Sequence, residues 1–266
     1  MSYSTLEIDV RDGVAHLWLN RPEVRNAFDE TVIAELIAAL GALGADAAVR
    51  VVVLGGRGTA FCAGGDLNWM KKMAGFSREQ NYADALELAA MLHALATLPK
   101  PTVARVHGAA FAGGLGLVSA CDIAVAAHEA VFCVSEVKIG LVPATIGPHL
   151  AAAMGTRAAR RYWLTAERFS APEAHRLGLV HEVVPAAELD AAVAHVCEEL
   201  LAGGPAAQAA TKDLIRTVSE NPLSRELLEE TARRIAAARA SDEGKEGVRA
   251  FLEKRKPAWL PASKKN

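Results

Sequence analysis

Thr102-Val103-Ala104-Arg105-Val106-His107-Gly108-Ala109-Ala110-Phe111-Ala112-Gly113-Gly114-Leu115-Gly116-Leu117 is the stretch on which the fold turns. Thr102 to Val106 reads as a buried strand, a loop of small residues follows, and Gly113 opens a helix. A helix start leaves its first N–H groups without intrahelical partners, so they are ready donors to an anion. Beyond Asp122, two apolar strands at 123–127 and 131–134 deliver Glu136 among Val137, Ile139, Leu141 and Val142. A carboxylate in such company can be desolvated, with its pKa raised toward that of a proton carrier. Pattern alone also allows an ordinary solvated edge acid. The two features together suggest chemistry in which the Gly113 N–H stabilises a developing oxyanion while Glu136 moves a proton.

Strand, loop, helix, strand is a crossover unit, and an α/β core with right-handed connections is the expectation. The unit has a counterpart upstream. Val49 to Leu54 is a strand rich in β-branched residues, covered on both faces. It ends in a second glycine-rich loop, Gly55 to Gly65, after which Asp66 is placed to cap a helix beginning near Leu67. Before it, residues 5–20 suggest a hairpin turning at Asp12-Gly13, followed by a loop at 20–27 and a helix from Asp29 to Leu43. After Leu67 a long helical stretch is broken around Gly75, with Ala83 to Leu98 as its second part and Pro99 and Pro101 ending it. Pro143, Gly147 and Pro148 punctuate a turn and a short helix. From Thr156 the character shifts to helices at 157–164, 172–177 and 186–201 with one strand at 179–184. Gly203-Gly204-Pro205 is the only linker-like tripeptide, and amphipathic helices are expected at 206–218, 223–240 and 243–256.

With 266 residues, 52% of them hydrophobic and 23% charged, the chain can bury a substantial core as one large domain or a domain with an appendage. A formal net charge of -2 supplies no basic field for nucleic acid or an anionic membrane. The N-terminus lacks an apolar signal core and no run suffices for a membrane span, so the chain reads as cytoplasmic. Cys62, Cys121, Cys133 and Cys197 form no C-x-x-C pair, which points to buried free thiols rather than a zinc site or disulfides.

The two glycine-rich loops are the constellation with chemical content, although pattern alone also allows tight turns or close packing points. A thioester or ketone gathering charge on its oxygen is stabilised by about 3 kcal/mol per backbone N–H aimed at that oxygen. Glycine lets the backbone approach without a Cβ in the way. Other readings lack their signatures: 113–116 misses the third glycine of a dinucleotide fingerprint, 55–66 has no Gly-Lys-Ser/Thr, and Gly-x-Ser-x-Gly is absent. His107 is a second candidate base, with a packed histidine as the commoner outcome. Asp122 reads as a structural anchor. Trp69, Met70 and Met73 suit either an acyl pocket or the core.

These pieces resemble the enoyl-CoA hydratase/isomerase (crotonase) superfamily along nearly the whole chain. The resemblance rests on Asn20-Arg21-Pro22 with Arg25-Asn26-Ala27, Ala60 to Leu67, His107-Gly108 through Gly113-Gly114, Cys121-Asp122, Ser135-Glu136-Val137, and Phe251-Leu252-Glu253-Lys254-Arg255-Lys256. It implies a spiral of β-β-α turns over residues 1–203 and a C-terminal helical segment, 204–266, that mediates trimers or dimers of trimers. It also implies that Gly65 and Gly113 form the oxyanion hole for an acyl-CoA thioester, with Glu136 as the catalytic acid or base. Arg25, Ala27, Ala63, Gly65, Asp66, Leu67, Asn68 and Gly113 would cradle the CoA portion, and Lys254 would approach its phosphates. CoA belongs to the substrate; no further cofactor and no metal are implied.

One departure bears on mechanism. Two-carboxylate hydratases of the family carry a second glutamate where this chain has Gly116, so Glu136 is left to act alone. The reaction is then hydration of a 2-enoyl-CoA by one carboxylate, or a 3-enoyl to 2-enoyl double-bond shift, which needs a single base. A catalytically silent acyl-CoA binder and an RNA-associated relative are the non-enzymatic alternatives, the latter disfavoured by the charge. The stretches 66–70, 108–111 and 135–146 look most like bacterial methylglutaconyl-CoA and isohexenylglutaconyl-CoA hydratases. The substrates of these relatives carry a second carboxylate, whose partner the sequence does not assign, although Lys71 and Lys72 lie near the expected acyl pocket.

Overall fold

The computed structural model describes residues 3–260. Strands β1 (Leu6–Arg11) and β2 (Val14–Leu19) form the expected antiparallel hairpin, with Asp12 and Gly13 at positive φ in its turn. Helix α1 (Glu30–Ala45) is capped by Asp29, whose carboxylate accepts from the N–H groups of Thr31 and Val32. Next come β3 (Val51–Gly56), α2 (Leu67–Met73), α3 (Arg78–Ala96), β4 (Thr102–Val106), β5 (Ala109–Phe111) and α4 (Gly113–Ala120). They are followed by β6 (Ile123–Ala127), β7 (Val131–Cys133), α5 (Gly147–Thr165), β8 (Phe169–Ser170), α6 (Ala171–Arg176), β9 (Glu182–Val184) and α7 (Leu189–Ala202). Three helices complete the order: α8 (Pro205–Glu220), α9 (Arg225–Ala240) and α10 (Asp242–Leu252).

Six strands in the order β1-β2-β3-β4-β6-β9 make one sheet, parallel except for the hairpin. Strand β3 is buried at every position because its side chains alternate between two cores. Val52 and Leu54 join the core with α1 and α3, while Val51 and Val53 pack with Leu189, Val193 and Cys197 of α7. A second sheet, β5-β7-β8, carries the 108–112 segment away from the first. The α/β expectation holds, and the parallel order aligns the glycine-rich loops after β3 and β4 along one edge.

The boundaries depart from the sequence reading at several places, each for a local reason. Strands β5 and β8 were not expected, because three and two residues are too few to show a period. Helix α3 starts at Arg78 rather than Ala83, since Ser77 and Gln80 form a capping box ahead of the apolar stripe. The short helix at 147 and the helix at 157–164 are one element, α5, kinked at Gly155 (φ 75°, ψ 157°). Of the strand expected at 179–184 only β9 forms, because the Leu179 and Val180 N–H groups turn back to the Ala174 carbonyl at the end of α6. Helix α10 stops at Leu252 rather than Lys256, and Lys254 beyond it lies at φ 53°. Residues 1–2 and 261–266, the outer ends of the two expected regions, lie outside the described residues.

The C-terminal helices are fastened to the core by polar contacts. Arg50 donates to the Gly203 carbonyl (2.7 Å) and Lys212 pairs with Asp122 (2.7 Å). All four cysteines are free, with Cys62, Cys133 and Cys197 buried and Cys121 half-buried. Among the described residues no helix is long and apolar enough to cross a membrane, and no cluster of three or more His, Cys, Asp or Glu could hold a metal ion.

Candidate active site

Three loop segments run side by side at the edge where β3 and β4 end. Arg25 and Asn26 both adopt left-handed backbone (φ 53° and 56°), which turns the chain so that the Arg25 carbonyl accepts from Ala63 N–H (3.0 Å). Phe28 N–H then donates to the Gly64 carbonyl (2.9 Å) and the Phe28 carbonyl accepts from Asp66 N–H (3.0 Å). In this parallel bridge Gly65 is the residue skipped, so its own N–H points away from Phe28. On the other side Cys62 donates to Ala109 O and accepts from Phe111 N–H, both at 3.0 Å. The loops at 25–28, 60–66 and 108–113 are thereby one laced unit, and Asn26 locks it from beneath. Its buried side chain donates to the carbonyls of Arg57 and Ala60 (both 2.8 Å) and accepts from Arg21 N–H (2.9 Å).

Gly113 is the first residue of α4, and no described backbone or side-chain acceptor takes its N–H or that of Gly65. Ala112, the residue before it, sits at φ 48° and ψ -120°, a conformation an L-residue adopts only under constraint. It is held by its N–H donating to Cys133 O (2.8 Å) and by its carbonyl accepting from Leu115 N–H (2.9 Å). The two glycines differ in what surrounds them. A Cβ on Gly113 would lie 2.0 Å from Cζ of Phe28, whereas one on Gly65 would meet Trp69 at an ordinary 3.4 Å. Protein packing excludes a side chain at 113; at 65 it would leave room for a methyl group at ordinary van der Waals distance from Trp69 and Met70. Gly116 is filled from across the fold: a Cβ there would sit 2.5 Å from Cγ2 of Ile146.

Glu136 follows β7 closely and begins a short 3-10 turn, Glu136–Ile139, closed by Gly140 in the left-handed region. Because Ala112 is bonded to Cys133 at the end of that strand, the turn is tied to the start of α4. Glu136 is half-buried, and its Oε2 is buried with no hydrogen-bond partner. Burial pushes its pKa above the usual carboxylate value, against a smaller opposing pull from its own N–H and that of Ser135. Ile139, Leu141 and Val142 beside it are exposed apolar side chains. This acid is desolvated, without a counter-ion, and able to exchange a proton.

Other candidates have structural occupations. The Asp66 carboxylate caps α2 through Asn68 N–H (2.7 Å) and Trp69 N–H (3.4 Å) and pairs with Arg21 (3.1 Å). Burial alone would raise its pKa, but those donors outweigh it and hold the carboxyl below its usual range. His107 is no free base: its Nε2 donates to Gly58 O (2.9 Å) and its Nδ1 faces Arg105 (3.3 Å). Asp122 is the anchor expected, accepting from the Thr102 N–H (2.7 Å) and hydroxyl (2.9 Å). Trp69 belongs to the core, its indole donating to Asp84 (3.1 Å), while Met70 is half-buried near Gly65. Lys72 pairs with Glu30 and Lys71 stands in no described ion pair. Arg25, Leu67 and Asn68 are exposed at the mouth of the laced loops, Ala27 is buried and Ala63 half-buried. Lys254 is not brought to them within one chain: the contacts fixing its segment run to Glu246, Ala250 and Ala202. Sequence reasoning did not single out Phe28, Ala112 or Ile146. Only a left-handed backbone at a non-glycine residue and two contacts across the fold reveal them.

An α/β core that presents two unpaired glycine amides, with a desolvated carboxylate on a turn tied to one of them and one of its oxygens unpartnered, defines a class of acyl-transfer and proton-transfer scaffolds. The family description "Enoyl-CoA hydratase/isomerase" matches residues 9–261. An enoyl-CoA hydratase from Shewanella pealeana superposes with a TM-score of 0.94 at 45% identity, covering 96% of each chain. Pseudomonas aeruginosa AtuE does so with a TM-score of 0.93 at 39% identity, over 97% of this chain and 100% of that one. An enoyl-CoA hydratase from Mycobacterium smegmatis gives 0.90 at 38%, covering 96% and 98%. The chain is an enzyme of the enoyl-CoA hydratase/isomerase family, with the crotonase fold.

Proposed function

We propose that the protein adds water across the double bond of a 2-enoyl-CoA, with Gly65 and Gly113 as the oxyanion hole and Glu136 as the only carboxylate in the chemistry. The observation that carries this reading is the buried, unpartnered Oε2 of Glu136 on the turn tied to the Gly113 helix start. The ionised carboxylate takes a proton from water as its oxygen bonds to C3, and the π electrons move onto the thioester oxygen. The two N–H groups stabilise that charge more than they stabilise the neutral carbonyl, which lowers the barrier. As the enolate collapses, the protonated Glu136 returns a proton to C2 and regains its starting state.

The CoA portion would lie along Arg25, Ala27, Ala63, Asp66, Leu67 and Asn68, with Lys254 supplied by a neighbouring subunit. Exposed Ile215, Leu228, Ile235, Val248 and Phe251 on α8–α10 suit the C-terminal region, 204–266, to trimer or dimer-of-trimers contacts. The favoured acyl group is branched and carboxylated, of the methylglutaconyl type, on the strength of the 66–70 and 135–146 stretches, with Lys71, which stands in no described ion pair, as the cation to propose for its carboxylate. The filled space at Gly116 supports a second reading, the single-base 3-enoyl to 2-enoyl shift. Matched 2-enoyl and 3-enoyl thioesters, spanning crotonyl, methylglutaconyl and branched terpenoid acyl groups, should be offered in 18O-labelled water. A product heavier by one labelled water supports hydration, an unchanged mass with a moved double bond supports isomerisation, and tight binding without turnover removes the catalytic reading.

A further inference from the structure

The two amides assigned to the oxyanion hole come from loops far apart in sequence, and one buried residue touches both. Phe28 is 1% exposed. Its backbone brackets Gly65 through the bonds to Gly64 O (2.9 Å) and Asp66 N–H (3.0 Å), which fix where the Gly65 N–H points. Its ring lies where a side chain on residue 113 would be: a Cβ there would be 2.0, 2.8 and 3.1 Å from Cζ, Cε1 and Cε2. The ring edge is therefore pressed against the Gly113 backbone, beneath the strained peptide of Ala112. Trp69 backs the ring at a centroid distance of 6.1 Å and an interplanar angle of 59°, and Trp69 itself lies against Gly65. The backbone on either side is anchored as well, because Arg21 pairs with Asp29 and with Asp66 (3.1 Å each).

We propose that Phe28 is a positioning residue that sets the separation and direction of the Gly65 and Gly113 N–H groups, its backbone holding one and its ring the other. Donors at an oxyanion hole act through their preset aim at the charged oxygen, so a small displacement costs rate before it costs binding. The ring is buried, so its effect on rate is expected to pass through the glycine backbone it packs against. This inference rests on the oxyanion reading given above, and its test separates the two.

The probe is an aryl-conjugated 2-enoyl-CoA, whose absorption moves to longer wavelength when its carbonyl is polarised by the site. Wild type, Phe28→Leu, Phe28→Ala, Gly113→Ala and the double variant Gly113→Ala/Phe28→Leu are compared for that shift, for kcat and KM, and for thermal midpoint. Phe28→Ala is expected to lose most of the shift and about 100-fold in kcat while KM stays within roughly threefold, with Phe28→Leu intermediate. Gly113→Ala fails because its methyl meets the ring, and removal of Cζ in the double variant should restore at least about tenfold of the lost kcat together with part of the shift. A merely structural role lowers the thermal midpoint without this rescue. A wild-type shift that Phe28→Leu and Phe28→Ala leave unmoved, or a Gly113→Ala defect the second substitution does not relieve, overturns this inference alone. No shift in the wild type overturns the oxyanion reading and this inference with it.

Discussion

Glu136→Gln tests the assignment of the proton carrier and separates chemistry from stability. The substitution keeps the shape of a half-buried side chain and removes its charge and its exchangeable proton. A positioned acid or base contributes about 10²- to 10⁴-fold, or roughly 3–5.5 kcal/mol of barrier. On the proposed mechanism the loss should fall at the upper end, because one carboxylate would both take the proton from water and return it to C2. No acid stands at residue 116 to take over, since that position is glycine and Ile146 fills the space beside it. The assay is loss of the conjugated enoyl-thioester absorbance, with the product-CoA dissociation constant measured alongside and expected to be unchanged. In wild type the rate should fall as pH drops through a pKa above the usual carboxylate value, because the ionised form starts the reaction and burial raises that pKa. The stability effect has the opposite sense. A folded-state pKa above the unfolded one means that the native state prefers the protonated acid, so ionisation destabilises it. The variant should therefore unfold at a higher temperature than wild type above the folded pKa, with the difference vanishing below the ordinary carboxylate pKa of the unfolded chain. Activity within about tenfold of wild type would refute Glu136 as the proton carrier, and an equal thermal midpoint at all pH values would refute its desolvation.

Three further substitutions probe the scaffold. Asn26→Ala removes two bonds to buried carbonyls and one from Arg21 N–H, and should destabilise by about 2–4 kcal/mol in urea unfolding; a loss under about 1 kcal/mol would mean the loops are held otherwise. Gly116→Glu places a Cβ 2.5 Å from Ile146 Cγ2, and the overpacking should cost about 1–3 kcal/mol before the buried charge is counted; an unchanged unfolding midpoint would show that Ile146 yields freely. Gly65→Ala meets only ordinary contact with Trp69 at 3.4 Å, so the fold and thermal midpoint should be preserved while kcat/KM falls by at least about tenfold. A destabilised but fully active Gly65→Ala would reverse that assignment.

The order of elements was legible because burial on both faces writes itself into composition. β3 and β4 are runs of apolar and β-branched residues, and α1 repeats its apolar positions at the helical period. Asp66 was legible as a cap because its side chain acts on N–H groups two and three residues away. Gly65, Gly113 and Glu136 were put forward by their place in motifs, which identify residue types but not what surrounds them. Sequence alone thus determined most of the alternation of strands and helices and the loops that carry glycine, and it put Glu136 forward as the acid to test. The tertiary structure alone decided that Phe28 lies under Gly113, that Ile146 takes the space at Gly116, that Ala112 is strained, and that one oxygen of Glu136 has no partner. Local propensity acts through neighbours along the chain, whereas these four facts depend on contacts between segments the fold alone brings together, and no period or motif encodes the distance across such a contact.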